Sequence, residues 1–214
     1  MMSPRPVRSL LLTLPHRGAL FLDELPEFPV SVLESLRQPL EERVVRVSRA
    51  SGTTTFPASF LLVACANPCP CGRTSEQCRC NDVQRARYAR RLSAPLLDRF
   101  DIRLEIRAAG TARGESSADA AARVAAAVER QRARLRSTPW GRNAHIPAGA
   151  LEQYAALSSE TRAAWHGWCE TRMLIGRGAA RIRRVARTVA DLADRAEITV
   201  PDIDRAVYLR EDLW

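Results

Sequence analysis

Gly18-Ala19-Leu20-Phe21-Leu22-Asp23-Glu24 is a short apolar run that stops on two adjacent carboxylates. Its length and its lack of polar interruption predict a fully buried strand with acids at its carboxyl end. Such a pair suits metal–phosphate chemistry: one acid holds Mg²⁺, directly or through water, and the next polarises an attacking water. The plainer alternative is a surface strand that ends in acids. Outward from this run, Val32, Leu33, Leu36 and Leu40 recur at helical spacing and predict a helix over 31–42. Two β-rich runs, 43–47 and 53–56, flank Ala50-Ser51-Gly52 and predict a hairpin. Phe60-Leu61-Leu62-Val63-Ala64-Cys65-Ala66 predicts a second buried strand, stopped by Asn67-Pro68. An amide at that tip can orient the same water against a phosphate, although Asn before Pro is also an ordinary turn former. A basic helix is expected from about Asp82 to Leu92, and a third strand over 102–106. Between them, Leu96-Leu97-Asp98-Arg99-Phe100-Asp101 offers an arginine that either lends charge to a transferring phosphoryl group or pairs with Asp98 or Asp101.

Four of the six cysteines crowd into the segment after Asn67. Cys69-Pro70-Cys71 and Cys78-Arg79-Cys80 form a Cys-x-Cys…Cys-x-Cys pattern, tighter than the common Cys-x-x-Cys knuckle. Four thiolates so close in sequence can surround one tetrahedral ion, and sulfur ligation favours Zn²⁺. Reduced thiols or a redox pair are the alternatives. A closed four-sulfur site leaves no open position for substrate, so its expected role is structural. Cys65 and Cys169 read as buried, small apolar residues. The hairpin carries Arg43, Arg46 and Arg49, expected near its tip, where they suit either nucleic-acid phosphates or a solvated basic edge strand.

Beyond Ala108 the texture changes. Ala109-Gly110-Thr111-Ala112-Arg113-Gly114 is linker-like, and helices are expected afterwards over 117–135, 147–157, 159–174, 179–193 and 203–209. In the fourth, Ile182, Val185, Ala186, Val189, Ala190 and Ala193 share a face. Thr199-Val200-Pro201-Asp202 reads as a capped helix start, and Trp165 and Trp168 as core residues. The formal charge is +9 and every one of the 33 basic residues is arginine. That excess reflects either an arginine-rich composition or a polyanionic partner. The absence of lysine is sharper: a phosphate-binding Gly-x-x-x-x-Gly-Lys-[Ser/Thr] loop is not contained in these 214 residues. No apolar run is long enough to span a membrane, and the start, Met1 to Leu12, lacks the apolar length and cleavage site of a signal peptide. A cytoplasmic location is expected.

Taken together, several blocks resemble the YifB/ComM family of Mg-chelatase-like AAA+ ATPases. His16 through Phe28 resembles its Walker B segment, and Val47-Ser48-Arg49-Ala50 with Phe56-Pro57-Ala58-Ser59-Phe60 its following hairpin. Asn67-Pro68-Cys69-Pro70-Cys71-Gly72 is similar to its sensor-1 block, and Leu96 through Ile102 to its arginine-finger block. Gly176-Arg177-Gly178-Ala179-Ala180-Arg181, running into Ala186 through Leu192, resembles its sensor-2 helix. The resemblance covers about Leu14 to Glu211. It implies ATP and Mg²⁺ as cofactors, DNA as partner and a hexameric ring of identical subunits. It also implies that Asp23 organises Mg²⁺ and Glu24 is the general base, with Asn67 as sensor 1. Arg99 would be a finger acting on the neighbouring subunit's nucleotide, and Arg177 sensor 2, with Arg181 as rival. Related ring motors place the hairpin in a central pore, which implies that Arg43, Arg46 and Arg49 grip nucleic acid.

The implied fold is α/β: an incomplete AAA+ P-loop core of three αβα layers over 14–107, then an all-helical lid over 108–214, with residues 1–13 unmatched. The family's preceding part, with its Walker A loop, does not match anything here, so the chain is expected to begin inside a longer gene and to lack ATPase competence alone. Ile175 stands where the family usually has serine. Two rival functions remain open at this point. One is the ATPase subunit of a true magnesium chelatase, against which the cysteine cluster argues. The other is a zinc-stabilised basic nucleic-acid-binding module without ATPase activity.

Overall fold

The computed structural model describes residues 11–50, 52–73, 77–106, 114–172, 174 and 176–210. The chain forms two compact units, one up to Phe100 and one from Asp101 onward. The first is mixed α/β; among the described residues the second is helical apart from one isolated β-bridge, Leu157 to Ile198.

In the first unit, strand β1 (Ala19–Leu22) pairs in parallel with β4 (Leu61–Ala64), in the register Ala19↔Leu61 to Leu22↔Ala64. A parallel pair needs a crossover. Here it runs through helices α1 (Val30–Ser35) and α2 (Arg37–Glu42) and an antiparallel hairpin of β2 (Val44–Arg49) and β3 (Gly52–Pro57). The helix expected over 31–42 is thus broken at Leu36. Pro39 explains the break, because it has no N–H to offer the carbonyl four residues back. Arg43, at φ +60°, ends α2 and turns the chain into the hairpin. Two further helices complete the unit, α3 (Asp82–Ala89) and α4 (Ala94–Leu97). Leu25, Leu33, Leu36, Leu92 and Leu96 form its core, with Leu20, Leu22 and Ala64 packed against them from the sheet.

The sheet is not fully buried, as its apolar runs led one to expect. Both strands alternate between exposed and half-buried positions. Leu20 and Leu22 face the core, while Phe21 is 62% exposed and Leu61 57%. Successive side chains point to opposite faces, so covering one face hides only every second residue. The expected strand over 102–106 does not form. The Arg103 N–H is instead taken by the Leu209 carbonyl of the helical unit, at 2.7 Å.

In the second unit, α5 (Ser117–Leu135), α6 (Leu151–Tyr154), α7 (Ser159–Thr171), α8 (Gly176–Leu192) and α9 (Val200–Tyr208) enclose Ile146, Trp165, Ile182, Ala186, Ile198 and Ile203. Helix α8 buries Ile182, Val185, Ala186 and Ala190, while Val189 is half-buried and Ala193 exposed. The capped start of α9 is present: the Thr199 N–H and hydroxyl both donate to Asp202 Oδ2. Trp168 is half-buried, donating its indole N–H to Asp204 at 2.7 Å. The linker residues 109–113, the first ten residues, Ile175 and Glu211 lie outside the described residues.

A polar cluster lies inside this apolar unit. Asp191 is fully buried and accepts two hydrogen bonds from Arg134 and one from Asn143 Nδ2; Arg187 lies 3.1 Å away. Burial pushes the Arg187 guanidinium below its ordinary pKa, and the Asp191 carboxylate opposes that shift. Removing one member of a buried ion pair typically costs about 3–5 kcal/mol, because the other charge is stranded. Asp191→Ala is therefore expected to destabilise the helical unit by about that amount, measured by chemical denaturation against wild type. A loss below about 1 kcal/mol, the net worth of one ordinary hydrogen bond, would show that the cluster does not hold the unit together.

Candidate functional site

The β1–β4 register sets what lies at the carboxyl edge of the sheet. The Cys65 N–H donates to the Leu22 carbonyl at 3.0 Å and the Leu25 N–H to the Cys65 carbonyl at 2.9 Å, so hydrogen bonding between the two segments continues past the strand ends. Asp23 and Glu24 leave β1 at the same edge where Asn67 follows β4, and all three are exposed. Carboxyl ends of parallel strands are where open α/β sheets bind ligands, because the chain diverges there into loops. Glu24 sits in the left-handed region at φ +49°, which is uncommon for a side chain larger than glycine. Its N–H donates back to Asp23 Oδ1 at 2.8 Å.

Asp23 Oδ1 also accepts from the Cys65 thiol at 2.9 Å. That contact and the Glu24 N–H hold the Asp23 carboxyl below its ordinary pKa, so it is ionised at neutral pH. The carboxylate in turn pushes the Cys65 thiol up. Cys65 is exposed and polar in role, not the buried apolar residue expected from its place after a strand. Sequence reasoning missed it because only the parallel register puts residue 65 opposite Asp23. Cys169 is half-buried.

Arg99 is tied inside its own unit. Its Nη2 donates to Glu41 at 2.5 Å and its Nε to the Arg37 carbonyl at 3.2 Å, both on α2, and its Nη1 donates to the Pro95 carbonyl. Its side chain is only 12% exposed. Glu41, which no pattern in the sequence singled out, is thus the acid facing it. Asp101, one of the two partners considered for Arg99, binds Arg181 at 2.8 Å within the helical unit. Arg177 is exposed in the first turn of α8, and Arg181 is half-buried.

The hairpin arginines do not all lie near the tip. Val44 pairs with Pro57 at the base and Arg49 with Gly52 at the turn. Arg43 therefore precedes the base, Arg46 lies halfway along and Arg49 alone reaches the tip. Arg46 binds Glu42 at 2.5 Å, with half its side chain still exposed.

The four clustered cysteines converge. The Sγ atoms of Cys69, Cys71, Cys78 and Cys80 all lie within 4.8 Å of one another. Cys69 Sγ is 3.2 Å from that of Cys71 and 3.5 Å from that of Cys78, and Cys71 and Cys78 are 3.8 Å apart. Sulfurs bound tetrahedrally to one zinc at about 2.3 Å would be about 3.8 Å apart, so the donor set fits that ion. The chain turns there through Gly72, at φ +64°, and its N–H closes on the Cys69 carbonyl at 3.2 Å. The far pair runs straight into α3, whose N-cap Asn81 exchanges hydrogen bonds with Gln84. Arg85, in the first turns of that helix, donates to Cys78 Sγ at 3.8 Å.

Each sulfur senses the others. The Arg73 N–H and the Cys69 thiol lower Cys71 to about 6, whereas desolvation and the Cys71 sulfur push Cys80 to about 12. A lowered thiol pKa means that thiolate accumulates as pH rises through that value. In metal-free, reduced protein, alkylation of Cys71 is expected to rise steeply near pH 6, well below the usual thiol value of about 8.5, while Cys80 stays unreactive. Peptide mass mapping across pH checks this; equal labelling of the two would contradict it.

Residues 5–113 match the family described as magnesium chelatase, subunit ChlI, and residues 114–210 the ChlI C-terminal family. The uncharacterized protein YifB of Escherichia coli is 39% identical over 207 residues, covering 93% of this chain and 40% of its own. The competence protein ComM of Haemophilus influenzae is 36% identical over 207 residues, with the same coverage. An uncharacterized protein of Mycobacterium tuberculosis is 38% identical over 202 residues, covering 92% of this chain and 40% of its own. The chain thus spans about two-fifths of the length of these relatives.

Proposed function

Since the chain belongs to the YifB/ComM family of magnesium-chelatase-like proteins, we propose that it carries the hydrolysis and sensing residues of an ATP-driven, DNA-acting AAA+ ring motor of the cytoplasm. The observation that supports this reading is the parallel pairing of β1 with β4, with Asp23 and Glu24 following the carboxyl end of one strand and Asn67 that of the other.

Asp23 is suited to hold a hard cation. It is ionised, and among the described residues its hydrogen bonds all fall on Oδ1, leaving Oδ2 toward solvent. Bound Mg²⁺–ATP would supply the phosphoanhydride and the charge that draws electrons from the breaking bond. Glu24, displaced from Asp23 by its left-handed backbone, would take the proton of the attacking water. Asn67 would orient that water from the adjacent strand. Arg177 would be sensor 2, because it is exposed near a helix N-terminus where anions are favoured, with Arg181 one turn further along the same helix as the rival. Arg99 would serve the neighbouring subunit's nucleotide in a hexameric ring, and it does so only after leaving Glu41.

The 214 residues hold no phosphate-loop lysine. The isolated polypeptide is therefore expected neither to bind ATP tightly nor to hydrolyse it above background. Titrated into an intact relative, it should lower DNA-stimulated ATPase in proportion to its incorporation, and Arg99→Ala should lower it further by removing the neighbour's finger, an interaction worth about 10³–10⁵ in rate at each affected site. Turnover by the chain alone that Glu24→Gln abolishes would refute this assignment.

Arg46 and Arg49 on the hairpin would contact the DNA backbone, with Arg43 at its base contributing less. Binding should weaken with salt, and Arg46→Ala/Arg49→Ala should reduce the slope of log affinity against log salt by roughly one to two. An unchanged slope would remove the hairpin from the interface.

Cys69, Cys71, Cys78 and Cys80 would hold one structural zinc, supported by the convergence of their sulfurs. Protein purified without affinity metals should carry close to one equivalent, lost in Cys71→Ser/Cys78→Ser; a metal-free, stably folded wild type would end the idea. The same sulfur cluster, with the missing lysine, supports a second reading as a zinc-stabilised basic nucleic-acid module without ATPase activity. ATP turnover by a reconstituted full-length form separates the two.

A further inference from the structure

Asn67 is a polar residue of the proposed site whose side chain has no hydrogen-bonding partner among the described residues, and it is exposed. Its contact is with the cysteine turn. A Cβ built on Gly72 would lie 3.4 Å from Asn67 Nδ2, 3.6 Å from Cγ and 3.9 Å from Oδ1, so the whole amide rests against the bare face of that glycine. These are ordinary van der Waals spacings, and it is the positive φ at 72 that calls for glycine in the turn beside the amide.

The turn under the amide is short and bracketed by sulfur. Cys69 and Cys71 precede Gly72, and the Gly72 N–H closes on the Cys69 carbonyl. Contacts between thiols are weak hydrogen bonds, and a second thiolate beside the first is repelled by it. The turn therefore gains stiffness only when something neutralises the sulfurs together. Cys78 and Cys80 supply the other half of that clamp, anchored to α3 by the Asn81–Gln84 box. We infer that the four-cysteine cluster is a positioning device for Asn67: one metal held by all four sulfurs ties the turn beneath the Asn67 amide to the capped end of α3. This rests on the zinc reading above. Its consequence is regulatory, since metal loss would release the sensing amide and leave Asp23 and Glu24 in place at the end of β1.

The test uses the full chain and Zn²⁺ itself. The chain has three asparagines, Asn67, Asn81 and Asn143, and the Asn67 side-chain amide is assigned in nitrogen-15 NMR spectra by its loss in Asn67→Ala. Adding one equivalent of Zn²⁺ to metal-free protein should shift that amide pair and slow its hydrogen exchange several-fold, and a chelator should reverse both. Cys71→Ser/Cys78→Ser should abolish the response. The Asn143 amide, buried and bonded to Thr188 and Asp191, serves as the fold control and should not move. If metal analysis finds zinc bound while the Asn67 amide is indifferent to it, the positioning role is overturned and the zinc site stands. If no zinc binds, the zinc reading itself fails and takes this inference with it.

Discussion

Parallel strands cannot be closed by a tight turn, and that constraint organises the first unit. Everything between β1 and β4 has to leave the carboxyl end of one strand and return to the amino end of the other. Two short helices and a hairpin fill the crossover, and the acids and Asn67 are delivered to one edge as a result. The hydrogen bonds of Cys65 with Leu22 and Leu25 carry the pairing past the strands and bring the Cys65 thiol onto Asp23. A shift of one residue in this register would send every side chain of one strand to the opposite face and separate Asp23 from its partner.

The helical unit solves a different problem. Its helices are rich in alanine and arginine, and its apolar core is joined by buried polar groups. Asp191 gathers Arg134, Asn143 and Arg187 into one buried set, and Arg183 donates to the Ala155 carbonyl and to Glu152. Burying such groups is costly unless they are paired, and most of their polar atoms are, although Arg134 Nε, Arg183 Nη2 and Arg187 Nε are buried without a hydrogen-bond partner among the described residues. Arginine suits this use because its planar fork reaches several acceptors at once, as Arg187 does with the Arg195 and Ala196 carbonyls. Part of the basic excess is therefore internal architecture, and that part is not offered to a polyanion.

Similar double duty appears in the first unit. Arg99 and Arg46 are functional candidates by resemblance, yet each is engaged by an acid of α2, Glu41 and Glu42 respectively. The two acids are consecutive, on the helix that feeds the hairpin.

What the sequence by itself determined was local. The apolar run ending in Asp23-Glu24, the hairpin, the paired cysteines, the helix from Ser117 to Leu135 and the Thr199–Asp202 cap are visible because each depends on neighbours within a few residues. The family was readable for the same reason, since its motifs are short blocks. What only tertiary structure decided was everything set by long-range pairing. The one-sided exposure of the sheet depends on which face is covered, and the 102–106 strand gave way because Arg103 bonds to Leu209, more than a hundred residues away. Cys65 faces Asp23 through a parallel register that no local pattern encodes, and Arg99 meets Glu41 across 58 positions of chain. Periodicity reports which side of an element is apolar; it carries no information about which other element will lie against that side.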